Sequence, residues 1–384
     1  MSFRFVGLLV IIVVVAAALL GRSAKDGEKA PTLAVSSLLG DGADAGLRVA
    51  DPLYRPEFPR DHGAHPDFRS EWWYFTGNLQ DPRGRPFGFQ FTIFRFALSG
   101  QSPARSSNWA TRQVWMAHLA VTDVAGRRFL RAERFARGGK MALAGATAAP
   151  FSAWVGPWSM RSEESGFLPI ELSAEAEDFG LRLRLAPGTG PVLQGEDGYS
   201  RKGPGVGNAS HYYSYTRLPA SGEILLGDEV VPVEGDAWLD REWGTSALGP
   251  DVHGWDWFSL QLTDGTELMF YQLRRGDGTA DPLSAGSVTG PVPRQLDYSD
   301  VDLSPQRHWR SPDTGVRYPV AWQLAVPSEG LRLSVEALLD PQEMDLSVNY
   351  WEGAVRVVGS RAGVPVEGRG YLEMTGYEAG EVSP

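Results

Sequence analysis

Apolar and polar residues alternate along much of the chain. Residues 87–93 place phenylalanine or isoleucine at every second position, residues 181–185 alternate leucine with arginine, and residues 331–337 repeat the pattern with Leu, Val and Ala. A period of two predicts half-buried β-strands. Beyond the N-terminal region, no helical spacing of apolar residues persists for more than about three turns. The pattern therefore predicts an all-β protein with one or two short helices.

The alternation slips by one position directly after residue 93. Phe94 and Phe96 are the next large apolar residues, and Arg95 lies between them. A one-residue change of phase within a strand is typical of a β-bulge, in which one extra residue turns the following side chains to the other face. The sequence therefore predicts a bulge in this strand.

The N-terminal region has the pattern of an export signal. An uncharged apolar run covers residues 6–20, preceded by Arg4 and followed by Arg22 and Lys25. About 15 residues is short for a membrane-spanning helix of about 20 and suits the core of a signal peptide. We expect residues 1–25 to be an export signal, cleaved or kept as a membrane anchor. The body would then lie outside the inner membrane, in the periplasm or on the outer face of that membrane.

The remaining chain is long enough for two domains. Residues 26–50 are rich in Gly, Ala, Ser and Asp without periodicity, as in a flexible tether. The 384-residue length fits two domains on ordinary size grounds. We predict an N-terminal domain at residues 51–243 and a C-terminal domain at residues 244–384.

Composition excludes several classes of function. A net charge of −11 argues against a nucleic-acid partner and against electrostatic docking to anionic lipid. The chain has no cysteine, which excludes disulfides, thiolate metal sites and thiol nucleophiles. Thirteen tryptophans are either extra core aromatics or the lining of a wide apolar cavity.

The most informative segment is residues 233–244. Read as a strand, it places Asp236, Trp238, Asp240 and Glu242 on one face and Arg241 on the other. If that face is buried, a carboxyl there needs a cationic partner or acquires a raised pKa. If the face is exposed, the same pattern is an ordinary acidic surface.

A second fragment carries polar-tipped aromatic residues. His211, Tyr213 and Tyr215 alternate in a stretch that also reads as a strand, so their side chains share one face. The fragment could supply aromatic walls and a titratable group to the same site as Asp240.

Three tryptophan-rich blocks resemble the carotenoid 1,2-hydratase / AttH family. They are residues 65–77 (HPDFRSEWWYFTG), 238–244 (WLDREWG) and 254–262 (GWDWFSLQL). The similarity extends over most of the chain from about residue 51. It implies two lipocalin-like antiparallel β-barrel domains with few short helices, and a cavity for a lipophilic small molecule.

The resemblance also implies catalytic roles. In the hydratases an acidic residue is thought to protonate a trisubstituted C=C bond, and the resulting tertiary cation then takes up water. Asp240 matches the catalytic aspartate and would be the proton donor. Trp238 and Tyr213 would stabilise the cation, and His211 would position water or share a proton with Asp240. The hydratases more often have Trp at the place of Tyr213 and Tyr at the place of Trp238. A structural role for Asp240, as a hydrogen-bond acceptor, remains open.

A second group of residues is expected to contact the ligand. It consists of Glu71, Trp73, Tyr215, Glu242 and Trp243. For Glu71 the alternative is a structural ion pair with an arginine such as Arg69 or Arg241. No cofactor is implied. Residues 61–67 bring His and Asp together, but they read as a loop without the spacing of a metal site.

Two functions remain. The first is a cell-envelope protein that binds an isoprenoid- or lipid-like ligand and works beside an ABC export system, with the transporter permease as a partner. The predicted export signal favours it. The second is a cofactor-free hydro-lyase that adds water to a C=C bond by acid catalysis from Asp240.

Overall fold

The computed structural model describes residues 46–100, 111–139, 141–205, 207–245, 248–249, 251–290 and 293–377. The predicted export signal and nearly all of the predicted tether lie outside this range. Among the residues that the structure describes, no helix has the length and apolar character needed to cross a membrane.

Almost all regular structure is extended. The first thirteen strands are β1 (Ser70–Gln80), β2 (Pro86–Ala97), β3 (Gln113–Asp123), β4 (Arg128–Arg137), β5 (Ala144–Ala148), β6 (Phe151–Val155), β7 (Trp158–Ser162), β8 (Ile170–Glu175), β9 (Phe179–Leu185), β10 (Val192–Leu193), β11 (Tyr199–Arg201), β12 (Ala209–Leu226) and β13 (Glu229–Gly244). The next ten are β14 (Val252–Leu262), β15 (Glu267–Arg275), β16 (Ala285–Val288), β17 (Arg294–Asp297), β18 (Asp302–Arg310), β19 (Arg317–Val326), β20 (Leu331–Ala337), β21 (Glu343–Asp345), β22 (Asn349–Arg361) and β23 (Val364–Met374). Short 3-10 helices cover Arg60–His62, Tyr298–Asp300 and Pro327–Glu329.

These strands form two antiparallel sheets. In the first, the order is β4-β3-β2-β1-β13-β12-β9-β8-β7-β6-β5, with β10 and β11 paired to β12. In the second, it is β17-β16-β15-β14-β23-β22-β20-β19-β18, with β21 paired to β22. Each sheet brings its first strand beside its last, as in a curled meander, and each is nearly closed. The predicted all-β, lipocalin-like double barrel is confirmed.

The predicted bulge in β2 is wrong. The strand keeps one register with both neighbours from Phe87 to Phe96, without a shift. The odd residues through Ile93 belong to the core of the first sheet, whereas Phe94 and Phe96 pack beside Met116 on the opposite face. The apolar pattern changes phase because β2 is buried on both faces: polar Gln90 and Thr92 are buried on the outer face, and Arg95 is buried on the interior face beyond Ile93.

Each curled sheet encloses its own hydrophobic core. The first core contains Trp73 and Phe91, and the second contains Phe258 and Trp322. A third cluster draws on both sheets and lies between them, with Tyr74, Tyr212, Trp238, Trp257 and Tyr371 among its members. The outer faces of the two sheets therefore pack against one another, and side chains there are buried although they lie outside both barrels.

Direct bonds hold the two sheets in this arrangement. Asn78 donates to the carbonyl of Gly370 at 2.9 Å, and the Thr122 hydroxyl donates to the side chain of Gln342 at 2.7 Å. Gly88 of β2 permits the approach, because a Cβ there would lie 2.5 Å from the Cβ of Ala354. The chain passes from the first sheet to the second between the ends of β13 and β14.

Candidate functional site

A partly enclosed cavity of about 100 Å³ lies between the two sheets. Side chains from both sheets line it: Trp72, Tyr74, Phe94, Phe96, Met116, His118, Lys202, Tyr212, Asp240, Glu242, Leu248, Trp255, Trp257, Tyr271, Leu273, Val348, Tyr350, Glu352 and Glu373. Most of this lining is aromatic or aliphatic, with four carboxyls, one lysine and one histidine among it. The cavity lies outside both barrel cores, which are filled by their own hydrophobic clusters.

Asp240 of β13 lies on the wall formed by the first sheet and is only 3% exposed. Its Oδ1 accepts hydrogen bonds from Trp238 Nε1 at 2.7 Å and from Ser214 Oγ at 2.5 Å. Its Oδ2 accepts a hydrogen bond from the Tyr212 hydroxyl, which also accepts one from Trp257 Nε1 at 3.2 Å. The carboxyl is therefore bonded by three donors and has no cationic partner among the contacts described.

Burial raises the pKa of Asp240 to about 6. The donors Ser214, Tyr212 and Trp238 act in the opposite direction because they stabilise the carboxylate, and the charge of Glu242 adds to the rise. Near neutral pH this carboxyl can therefore exchange a proton with a bound molecule, which an aspartate with an ordinary pKa does poorly.

Glu242 and Lys202 form the charged end of the cavity. The Lys202 Nζ lies 3.5 Å from Glu242 Oε1 and 3.6 Å from the centre of the Tyr271 ring. Ser210 donates to the same carboxylate. Burial acts to lower the pKa of Lys202, but Glu242 and Tyr271 hold it above its usual value, so the lysine is charged at neutral pH.

The wall formed by the second sheet carries two more carboxyls. Glu352 of β22 and Glu373 of β23 are directly paired in the antiparallel register. Tyr74 donates to Glu352 Oε2 at 2.8 Å, whereas Glu352 Oε1 is buried without a protein partner. Burial and the neighbouring Glu373 raise the pKa of Glu352 well above its usual range. Burial and the charge of Asp240 raise the pKa of Glu373 to about 8.

A polar contact between the sheets borders the cavity at the side of β3. His118 Nδ1 lies 2.6 Å from the Tyr350 hydroxyl, and its Nε2 lies 3.7 Å from Glu133. Ser347 donates to Glu133 at 2.5 Å. Burial acts to raise the pKa of Glu133, but His118 and Ser347 hold it below its usual value. This contact joins β3 and β4 to the second sheet.

Three of the predicted site residues meet in the cavity region. Trp238, Asp240 and Glu242 share the face that the alternation predicts, and Arg241 points the other way. From Trp238 to Glu242 the acidic face of β13 is therefore a buried wall, whereas Asp236 on the same face is half-buried. The partners of Asp240 on β12 are Tyr212 and Ser214.

His211, Tyr213 and Tyr215 do not lie in this cavity, which corrects their expected placement. They face the interior side of the first sheet, where Tyr213 and Tyr215 belong to its core. The Tyr213 hydroxyl bonds His62 Nδ1 at 2.7 Å, and His211 packs against Tyr54. Because alternate residues of β12 point in opposite directions, neither His211 nor Tyr213 can contact Asp240 across the sheet.

Glu71, Trp73 and Trp243 also lie on the interior side, away from the cavity. Glu71 is fully buried and is bonded by Arg95 and by Arg241, the latter at 2.5 Å. Burial acts to raise the pKa of Glu71, but the two arginines hold it well below its usual range. The Arg241 guanidinium lies 4.0 Å from the centre of the Trp73 ring. The alternative role considered for Glu71 is a structural ion pair with an arginine such as Arg69 or Arg241, and Arg241 forms that ion pair.

This interior cluster holds residues 51–69 against the first sheet. The Trp73 indole donates to the carbonyl of His62 at 2.8 Å, and the His65 ring stacks on Trp243 with centroids 4.0 Å apart. Burial and the charge of Arg241 lower the pKa of His62 to about 3, so the ring is neutral. The contacts of this cluster are those of residues that stabilise the fold.

Sequence reasoning missed Lys202, Tyr212, Glu352 and Glu373. A signal for the two glutamates was present, since Tyr350-x-Glu352 and Tyr371-x-Glu373 repeat the aromatic-x-acid spacing of Trp238-x-Asp240. Lys202 had no comparable signal, because it lies in a loop after β11.

Within the described ranges, no cluster of His, Asp and Glu side chains has an arrangement that could hold a metal ion. The expectation that the protein uses no cofactor stays a prediction.

Comparison with known proteins shows the family to which this chain belongs. The sequence model of the AttH-like family matches residues 49–377. The chain belongs to the AttH-like family. This AttH-like chain is 39% identical to a protein classed as AttH from Nitrosomonas europaea, whose solved structure superposes with a TM-score of 0.77 over 86% of this chain and 100% of the other.

Two fungal enzymes are more distant relatives of this AttH-like protein. Dehydratase asqC of Emericella nidulans is 24% identical over 48% of this chain and 55% of its own length. Kievitone hydratase of Fusarium solani is 23% identical over 38% and 42%. The chain thus spans about half the length of the curated relatives it matches. The solved kievitone hydratase from Nectria haematococca has the same fold, with a TM-score of 0.63 and 14% identity over 87% of this chain and 95% of the other.

Replacing Glu71 by glutamine tests the structural role of the interior cluster. The substitution leaves Arg95 and Arg241 buried without their shared counter-charge, so we expect a loss of about 3–5 kcal/mol in the free energy of unfolding. Urea unfolding followed by tryptophan fluorescence measures it. Glu234→Gln, at an exposed position of β13, is the matched control and should change stability by no more than about 0.5 kcal/mol. Equal behaviour of the two variants would contradict the structural role.

Replacing Asp240 by asparagine should stabilise the protein, and only at higher pH. The folded-state pKa of about 6 exceeds the usual 3.8, so the folded form binds a proton more tightly and wild type loses stability as pH rises from about 4 to above 6. The asparagine amide mimics the protonated acid and avoids that loss. We expect Asp240→Asn to exceed wild type by about 2–3 kcal/mol at pH 8 and to match it at pH 4.

Urea midpoints of both proteins at the two pH values measure this difference. Asp236→Asn, on the same strand face but paired with Arg217 outside the cavity, is the control. A constant difference between Asp240→Asn and wild type at both pH values would show that Asp240 is not a buried carboxyl with a raised pKa.

Proposed function

We propose that this protein is a cofactor-free hydro-lyase that adds water to, or removes it from, a carbon–carbon double bond. The observation that carries the proposal is a cavity in which buried carboxyls with different hydrogen-bonding environments face one another across aromatic walls. Such groups supply general acid and general base within one dry site.

The reaction requires a proton donor, a stabilised cation and an activated water. A carboxylic acid transfers its proton to one alkene carbon, and the π electrons form the new C–H bond. The cation left on the other carbon is then attacked by water, whose proton passes to a carboxylate. Asp240, Glu352 and the half-buried Glu373 are the carboxyls of the cavity whose pKa is raised, and they are suited to these two proton transfers.

Aromatic faces of the cavity suit the cationic intermediate. Trp72, Trp257 and Tyr74 line the space beside Asp240 and Glu352. The face of an aromatic ring is electron-rich and attracts a nearby cation by about 1–2 kcal/mol or more where water is excluded. The carboxylates of the cavity add attraction in the same direction.

The size of the cavity sets a limit on the substrate. About 100 Å³ corresponds to several water molecules, so it holds a ring or a short branched segment. An isoprenoid chain would place its terminal trisubstituted double bond inside while the remaining chain leaves through the mouth. Phe94, Phe96 and Val348 provide an apolar surface for that chain.

The relatives support the same reaction class. A dehydratase and a hydratase are both similar in sequence to this chain, and these two names describe the two directions of one reaction. Hydration is the direction that we propose for an alkene substrate, because the cavity holds both a proton source and polar groups that can bind water.

A second candidate function is transport of a lipophilic ligand in the cell envelope. The match to AttH and the largely apolar lining favour it. In this form, residues 1–25 export the protein and the ligand passes to or from an ABC transporter permease. A carrier needs the cavity but not the proton transfers, so substitution of Asp240 by asparagine separates the two functions.

The test is hydration of lycopene, neurosporene or 2-methyl-2-butene by the chain expressed with and without residues 1–45. In H₂¹⁸O we expect a mass gain of one labelled water with at least one probe. Asp240→Asn should lower the rate at least about 100-fold, since general acid–base groups contribute about 10²–10⁴. Asp236→Asn should keep the wild-type rate. Binding of the probes without hydration by wild type would favour the carrier.

A further inference from the structure

We propose that Glu373, supported by its neighbour Glu352, donates the proton, and that Asp240 on the opposite wall is the base that activates water. The inference rests on the hydro-lyase function proposed above. It reverses the role that the family resemblance implies for Asp240, and it follows from how the hydrogen bonds of the two walls are arranged.

The contacts of Asp240 are those of a carboxylate. The Trp238 indole N–H can only donate. The Ser214 hydroxyl oxygen already accepts from Gln194 Nε2 at 3.0 Å, and the Tyr212 hydroxyl oxygen accepts from Trp257 Nε1, which directs both hydroxyl hydrogens toward Asp240. A protonated Asp240 would have to turn one of these donors away. These hydrogen bonds therefore favour the ionised form and offset part of the effect of burial, and an ionised carboxyl is a base.

The contacts of the opposite wall are those of carboxylic acids. Glu352 receives one hydrogen bond, from Tyr74, and its other oxygen is buried in the protein without a partner. Glu373 is its direct cross-strand neighbour, with a side-chain bond from Trp255. Two carboxylates side by side repel one another, and neither has a cation against it in the contacts described. Protonation removes the repulsion and gives each group a hydrogen to donate.

The titratable groups around the cavity are Asp240, Glu242, Lys202, Glu352, Glu373 and His118. The charge of Glu242 opposes ionisation of Asp240, but the Lys202 Nζ lies 3.5 Å from Glu242 Oε1 and offsets that charge. The charge of Asp240 in turn raises the pKa of Glu373 and favours its protonated form. Burial raises the pKa of Tyr74, Tyr212, Tyr350 and Tyr371 further, so these hydroxyls stay neutral. Between about pH 6 and pH 8, Asp240 is ionised while Glu373 is protonated.

The step balances with these two groups and one water. The Glu373 O–H bond breaks and its proton forms a C–H bond with the π electrons of the alkene. The oxygen of water bonds to the cationic carbon, and the proton released goes to the Asp240 carboxylate. The product is an alcohol, Glu373 is left ionised and Asp240 protonated. Transfer of one proton from Asp240 to Glu373 through solvent restores the starting state.

The pH dependence of hydration tests whether both Asp240 and Glu373 take part in the reaction. With the probe that wild type hydrates among lycopene, neurosporene and 2-methyl-2-butene, we expect kcat/KM to rise through about pH 6, where Asp240 ionises, and to fall through about pH 8, where Glu373 does. If Asp240 were the donor and Glu373 took no part, kcat/KM would fall tenfold per pH unit above about 6. An exchange of the two roles between Asp240 and Glu373 would give the same bell-shaped profile, and isotope exchange separates that case. A fall that begins at pH 6 overturns this inference even if no variant folds.

Isotope exchange separates the two chemical steps. In D₂O, Asp240→Asn should keep deuterium exchange into the alkene, because Glu373 still protonates it, while hydration falls at least about 100-fold. Glu373→Gln should lose exchange and hydration together. Glu367→Gln, exposed on the same strand, is the control and should retain both. Near-UV circular dichroism checks that each variant is folded.

The remaining outcomes are also decisive. The reverse pattern, with exchange kept in Glu373→Gln and lost in Asp240→Asn, restores Asp240 as the donor and overturns the inference. If each variant loses both exchange and hydration, the division of roles is overturned. The same holds if neither variant loses either step. In both cases the hydro-lyase function stands. A wild-type protein that hydrates none of the three probes removes the proposed function, and this inference with it.

Discussion

The candidate site of this protein depends on the packing of two β-sheets through their outer faces. The outer face of a barrel strand normally meets water, and carboxyls there remain ordinary acids. Here the contact between the sheets removes water from the outer faces of β13, β22 and β23, so Asp240 and Glu352 are buried and Glu373 beside them is half-buried. Both sheets are needed, because neither wall alone encloses the cavity.

Strand β13 shows two ways of burying a carboxyl within one fold. On its interior side, Arg241 and Arg95 neutralise Glu71 and hold its pKa low, which fixes a structural contact. On its outer side, Asp240 has hydrogen-bond donors but no cation among its described contacts, and its pKa rises to about 6. The first arrangement stabilises a charge permanently. The second leaves a group that can gain and lose a proton, at a cost in stability that a structural site would avoid.

The sequence predicts local features well and long-range ones poorly. Alternation correctly separates Asp240 from Arg241 and gives the all-β architecture. Alternation does not show which residues of a neighbouring strand lie beside Asp240. Those residues depend on the register between β12 and β13, which pairs Ser214 with Asp240. The glutamates of the second wall lie more than 100 residues away and reach the site through the packing of the sheets. The phase change in β2 misleads for the same reason, since a strand buried on both faces follows neither simple pattern.

The departure from the hydratase pattern at Trp238 bears on how the site works. The family resemblance implies tyrosine at this position in the hydratases, and a tyrosine hydroxyl can donate to a carboxylate or accept from a carboxylic acid. Trp238 has only an N–H and places it 2.7 Å from Asp240. Because tryptophan cannot accept, the substitution favours the ionised form of Asp240 and makes protonation there less favourable. Tyr213, the other exchanged aromatic, binds His62 on the far side of the sheet and leaves this site unaffected. Trp238 therefore fits the division of roles proposed above, in which the proton donor lies on the opposite wall.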